Sequence, residues 1–120
     1  MMNTYRAEMI AAISRLVAIP SVFAESTDYP FGPAVDHCLD VTLSLMEGLG
    51  FHTFKAPDGM YGYAEVGEGE LFGVLCHLDV VQARQEDGWD HDPFCPVVQG
   101  DWLCGRGTQD DKGPSMAAVY

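Results

Sequence analysis

Positive charge is what this sequence has least of. Lysine and arginine together number 6 against 18 aspartates and glutamates, a formal net charge of −12. That balance excludes the basic footprint of a nucleic-acid binder or of a protein held to anionic lipid. It suits a cytosolic, hence cytoplasmic, chain. No stretch approaches the ~20 consecutive apolar residues of a membrane-spanning helix. The opening residues, Met1-Met-Asn-Thr-Tyr-Arg6, run into an amphipathic pattern and show no secretory apolar core. The 4 cysteines, Cys38, Cys76, Cys95 and Cys104, have no C-x-x-C spacing, which argues against a zinc ribbon. Three of them sit in apolar contexts and read as reduced core thiols. Internal repeats and low-complexity linkers are missing too.

What is present describes one ordinary globular domain: 120 residues, 48% apolar and 20% charged, enough for a modest core. Residues 4–19 carry a helical stripe of Met9, Ile10, Ile13, Leu16 and Val17. Thr4 or Asn3 can cap this helix, and Pro20 stops it. Its expected role is packing alone. A loop over residues 21–33 leads to a second helix over 33–49, with Val35, Cys38, Leu39, Thr42, Leu45, Met46 and Leu49 as its stripe. Gly50 suits a left-handed cap, closed by Phe51. His37 and His52 lie on or beside this helix, without ligand-like neighbours, and read as solvated or hydrogen-bonded rather than as ligands. Short strands follow over residues 51–55 and 61–66, joined by the turn Pro57-Asp-Gly59. The pattern predicts an α/β layer structure.

The run Leu71-Phe-Gly-Val-Leu-Cys-His77-Leu-Asp79-Val-Val81 lacks polar alternation and reads as a strand covered on both faces. His77 falls at its carboxyl end, where α/β sheets collect ligands. In an extended chain Asp79 points the same way and can hold one imidazole nitrogen while the other meets a metal. A core histidine bonded to any nearby acceptor explains the stretch equally well. Residues 82–88 are polar and expected to be exposed. Trp89-Asp-His-Asp-Pro-Phe94 is expected to pin a loop to the body, with Asp92 serving the turn and His91 beside it. Residues 96–98 and 102–104 predict a hairpin around Gln99-Gly-Asp101. The last stretch, Gly105-Arg-Gly-Thr-Gln-Asp110-Asp111-Lys112-Gly113-Pro114-Ser115, is a glycine-rich loop entering a short helix with Pro114 at its first position. Two adjacent carboxylates repel if buried, and a divalent cation would remove that cost. The same acids also suit a plain helix amino terminus. Spacing alone leaves both readings open.

His77-Leu-Asp79-Val-Val81, Trp89-Asp-x-Asp-Pro-Phe94 and Gly105-Arg-Gly-x-x-Asp-Asp-Lys-Gly-Pro-Ser115 occur in the order and spacing of a known family. They resemble the amino-terminal part of the co-catalytic zinc peptidases, the family of aminoacylase, acetylornithine deacetylase, succinyl-diaminopimelate desuccinylase and carnosinase. Tyr29-Pro-Phe-Gly32, Gly50-Phe51 and Tyr61-Gly-Tyr-Ala-Glu65 are most similar to its PepV-type (Sapep-like) dipeptidases. The resemblance implies a three-layer α/β catalytic domain, of which residues 1–120 are the amino-terminal portion. The lid domain, the general-base glutamate and the remaining ligands are then expected beyond Tyr120. It further implies that His77 binds one metal, that the catalytic Asp79 orients it, and that Asp110 bridges two metals. Asp111, reached through a cis bond from Asp110, and Gly105, Arg106 and Gly107 form the supporting loop.

The implied cofactors are two divalent ions, zinc by default, with manganese or cobalt able to replace it. The implied activity is hydrolysis of a small dipeptide by a metal-activated water. An N-acyl amino acid deacylase, acting on acylated amino acids, is the alternative within the family. A truncated, non-catalytic interaction module is the alternative outside it. Neither nucleic acid nor membrane is an expected partner, the full-length state is expected to be monomeric, and the 120-residue chain alone is expected to be inactive. One departure stands out: relatives carry Pro-Ala-Gly after the Val-Val pair, where this chain has Gln82-Ala-Arg84.

Overall fold

A computed structural model describes residues 2–120, with side chains from residue 5 onward. The proposed caps Asn3 and Thr4 therefore lie outside the described side chains. Helix α1 spans Met2–Val17, and the turn into Pro20 ends it, as the proline requires. Its buried face is Ala12, Ile13, Leu16 and Val17. Helix α2 spans Pro33–Gly48. Proline at its first position removes an N–H that would have lacked a partner anyway. The helix closes as the sequence predicts. Gly50 takes φ 96°, its N–H donates to the Glu47 carbonyl, and the Phe51 N–H donates to the Met46 carbonyl. Cys38 and Val41 of α2 meet the α1 face and Met116 in one core cluster.

Strands β1 (His52–Lys55) and β2 (Gly62–Glu65) form an antiparallel hairpin with His52 opposite Glu65 and Lys55 opposite Gly62. The hairpin lies on α2. A Cβ on Gly62 would stand 2.9 Å from Leu43 Cδ1 and 3.1 Å from Leu39 Cδ1, so a side chain there would have to displace those leucine methyls. Lys55 also ties the two elements, with its ammonium 2.8 Å from both Asp36 and Asp40. A second hairpin pairs β3 (Val97–Gln99) with β4 (Trp102–Cys104) around Gly100, whose φ is 62°. Helix α3 spans Lys112–Val119. It starts two residues before the expected Pro114, because a proline is tolerated anywhere in a first turn whose N–H groups lack intrahelical partners.

The architecture is α/β, but two expectations are corrected. Residues 71–81 form no strand among the described residues, and Leu71, Phe72, Val74, Leu75 and Val81 are exposed rather than covered. Neither described hairpin pairs with this run. An apolar run records which residues would gain from burial; a partner strand must still be supplied. The cysteines follow from this. Only Cys38 is a buried thiol; Cys76, within the uncovered run, and Cys95 are exposed, and Cys104 is half-buried. Asp110 is exposed and Asp111 half-buried, so the two adjacent carboxylates are not both buried.

Candidate metal centre

His77 arrives on the uncovered run, and Asp110 on the glycine-rich loop that precedes α3. Folding brings their side chains together: His77 Nε2 lies 2.8 Å from Asp110 Oδ1. The other ring nitrogen, Nδ1, faces Asp79, 3.2 Å from its backbone carbonyl and 3.3 Å from its carboxylate. Asp79 thus holds the imidazole with main chain and side chain together, where the sequence argument used the carboxylate alone. Asp111 serves a different purpose from its neighbour. Its carboxylate accepts the His77 backbone N–H at 3.3 Å and the Ser115 hydroxyl at 3.3 Å. Its carbonyl accepts the same hydroxyl at 2.6 Å. The Asp110–Asp111 peptide bond is cis, as the resemblance implies.

The loop beneath these residues is built on close approach. Gly107 has φ 96°, and a Cβ there would stand 2.8 Å from Val80 Cγ1. Gly105 faces Val17 Cγ1 at 2.7 Å by the same measure. Arg106 donates its backbone N–H to the Pro93 carbonyl at 2.7 Å, and its guanidinium lies 5.6 Å from the Trp89 ring centroid. This contact explains the tryptophan–proline segment: Pro93 is buried and the loop is pinned, as its aromatic flanks predict. Asp92 accepts the Phe94 N–H and so does serve the turn. His91 leans edge-on against Trp89 and bonds Asp90. It takes no part in the His77 cluster.

Electrostatics favour a charged imidazole in the metal-free protein. Burial works against protonation of His77, but the hydrogen bond to Asp110 and the oxygens of Asp79 outweigh it and raise its pKa above the ordinary 6.5. Two residues past Asp110, Lys112 shows the opposite balance. Burial pushes its pKa down, offset only in part by Cys38.

The donor chemistry fits a borderline cation such as zinc. One imidazole nitrogen and one carboxylate oxygen converge, and the second nitrogen is oriented by a carboxylate. Among the described residues, no group of three or more His, Cys, Asp or Glu side chains is arranged to hold a metal ion. Sequence reasoning missed Lys112 and Ser21, both fully buried. Buried polar residues of this kind carry no periodic signal, since their partners lie 57 and 96 residues away.

Comparison with known proteins says what this arrangement is similar to. The family model of "Peptidase family M20/M25/M40" matches residues 73–120, the segment that carries His77, Asp79 and Asp110. Relatives from Staphylococcus saprophyticus and Staphylococcus epidermidis, each named "Putative dipeptidase", are 42% identical over 97% of this chain. The chain spans 25% of their length. Among solved structures, human carnosine dipeptidase 1 superposes with a TM-score of 0.74 at 27% identity, over 98% of this chain and 28% of that one. The dipeptidase Dug1p of Saccharomyces cerevisiae shares the fold with a TM-score of 0.77 at 21% identity, with the same coverage. The resemblance carried by the motifs is thus borne out. This chain is similar to the amino-terminal part of dipeptidases in that peptidase family, and its α/β arrangement matches the corresponding portion of their fold.

Proposed function

We propose that this chain is the amino-terminal portion of the catalytic domain of a cytoplasmic, metal-dependent dipeptidase. The observation that carries the reading is the meeting of His77 Nε2 and Asp110 Oδ1 at 2.8 Å across 33 residues of chain. The named activities of the relatives support the substrate class, a small dipeptide. His77 and Asp110 would hold divalent metal, zinc by default, with Asp110 shared between two ions. Metal bound there supplies Lewis acidity, which polarises a scissile carbonyl and acidifies a water.

The residues of this chain do the positioning. In the neutral ring, Asp79 would keep the Nδ1 proton of His77 directed at its own oxygens, which leaves the Nε2 lone pair for a cation. Asp111 turns one carboxylate oxygen onto the His77 backbone and Ser115, whereas Asp110 directs Oδ1 at the His77 ring. Arg106, Gly105 and Gly107 hold the loop in place. A two-residue donor set does not complete a catalytic shell, so the 120-residue chain alone is inactive in this reading.

The test uses the full-length gene product, stripped of metal and reloaded with zinc, manganese or cobalt. It is offered a panel of dipeptides and of N-acyl amino acids. Metal-restored dipeptide hydrolysis, abolished in both His77→Ala and Asp110→Asn, is the expected result. Preference for acylated amino acids would move the protein to the deacylase branch. Activity that survives both substitutions would remove these residues from the site.

A further inference from the structure

His77 and Asp110 belong to segments that share no sheet ladder among the described residues. The hydrogen bonds that join them directly are made by exposed groups: the His77 side chain is 52% accessible and that of Asp110 84%. Exposed pairs of this kind contribute little to holding two segments in register. Their spacing therefore needs another source, and the structure contains one in the carboxyl end of α1.

We infer that residues 16–21 are the template that sets the His77–Asp110 spacing, with Ser21 and Lys112 as the positioning residues. One arm reaches the histidine segment. The Ser21 hydroxyl donates to the Leu78 carbonyl at 2.7 Å, and the Val80 N–H donates to the Ser21 carbonyl at 2.9 Å. These bonds flank Asp79 and follow His77 directly. The other arm reaches the aspartate loop. Lys112 Nζ donates to the Leu16 carbonyl at 2.8 Å and the Ile19 carbonyl at 2.9 Å. The arms meet on a single atom, because the Ile19 carbonyl also accepts the Ser21 N–H at 2.8 Å.

Both positioning side chains are 0% accessible, so water cannot compete for their bonds. A buried ammonium is costly unless its hydrogens are taken up. Two of them go to the carbonyls of Leu16, in the last turn of α1, and Ile19, just past its end. Gly107 packs between the arms, where a Cβ would meet Val80 Cγ1 at 2.8 Å and Lys112 Cδ at 3.2 Å. Helix α1, expected to be packing alone, thus ends in the device that aligns the centre.

The functional consequence rests on the metal reading above, and the test separates the two. Ser21→Ala, Lys112→Met and the core control Val41→Ala are made in the full-length protein. Zinc and manganese affinities are measured by competition with a chromophoric chelator, below the melting range of every variant. The metal-free structures are determined alongside. Ser21→Ala and Lys112→Met are expected to weaken metal binding about 10–100-fold, the range for residues that orient ligands. In both, His77 and Asp110 should stand further apart than 2.8 Å. Val41→Ala should lose stability and leave affinity unchanged. Wild-type affinity and spacing in Ser21→Ala and Lys112→Met would overturn the inference, as would an equal loss of affinity in Val41→Ala. A wild-type protein that binds neither ion would remove the metal reading, and the metal-free spacing would still decide the positioning role. Ser21→Ala deletes one hydroxyl and keeps the question answerable should Lys112→Met not fold.

Discussion

The imidazole of His77 couples this centre to pH in two opposite directions. Its folded pKa lies above 6.5 because bonds to Asp110 and Asp79 outweigh burial. In the metal-free protein the charged ring therefore favours the fold. That contribution is complete below about pH 6.5 and is lost as pH rises through the folded value. Metal binding needs the neutral ring, so affinity should climb over the same interval. Titration of the ring nitrogens by NMR should place the midpoint above 6.5 in the wild type and lower in Asp110→Asn. A midpoint at or below 6.5 would contradict the geometry. At this scale the meeting of His77, Asp79 and Asp110 was flagged by motifs that resemble a known family, while their spacing alone left two readings open. Ser21 and Lys112 were not, because a buried polar side chain is explained only by partners that folding delivers.

Among the elements, the glycine-rich loop and the end of α1 should be the least tolerant of change. A Cβ on Gly113 would collide with the Thr108 carbonyl, a backbone atom that cannot swing away. Gly113→Ala should cost at least about 1–3 kcal/mol of stability, read from chemical denaturation. Leu16 is fully buried where α1, α2 and α3 meet, and Leu16→Ala should cost about 2–5 kcal/mol. It should also disturb the carbonyl that Lys112 grips. Helix α2 and both hairpins were readable almost to the residue, because proline, glycine and local periodicity mark their limits. The run over residues 71–81 was misread as a covered strand because burial on two faces is a property of neighbours.

The whole chain leaves an apolar surface that a stable monomer would cover. Leu71, Phe72 and Leu75 are 90%, 89% and 99% accessible, next to one another on a segment with unpaired backbone. Such an edge invites pairing with another chain. The 120-residue polypeptide should therefore self-associate with rising concentration, measurable by sedimentation velocity. Phe72→Lys with Leu75→Lys should shift it toward monomer. A wild-type chain that stays monomeric at high concentration would contradict this reading.

Helix α1 precedes both His77 and Asp110 in the chain. A polypeptide emerges from the ribosome amino end first, so the Ile19 carbonyl is on hand before the histidine, and the histidine before the aspartate. Synthesis thus delivers the jig ahead of the parts it aligns.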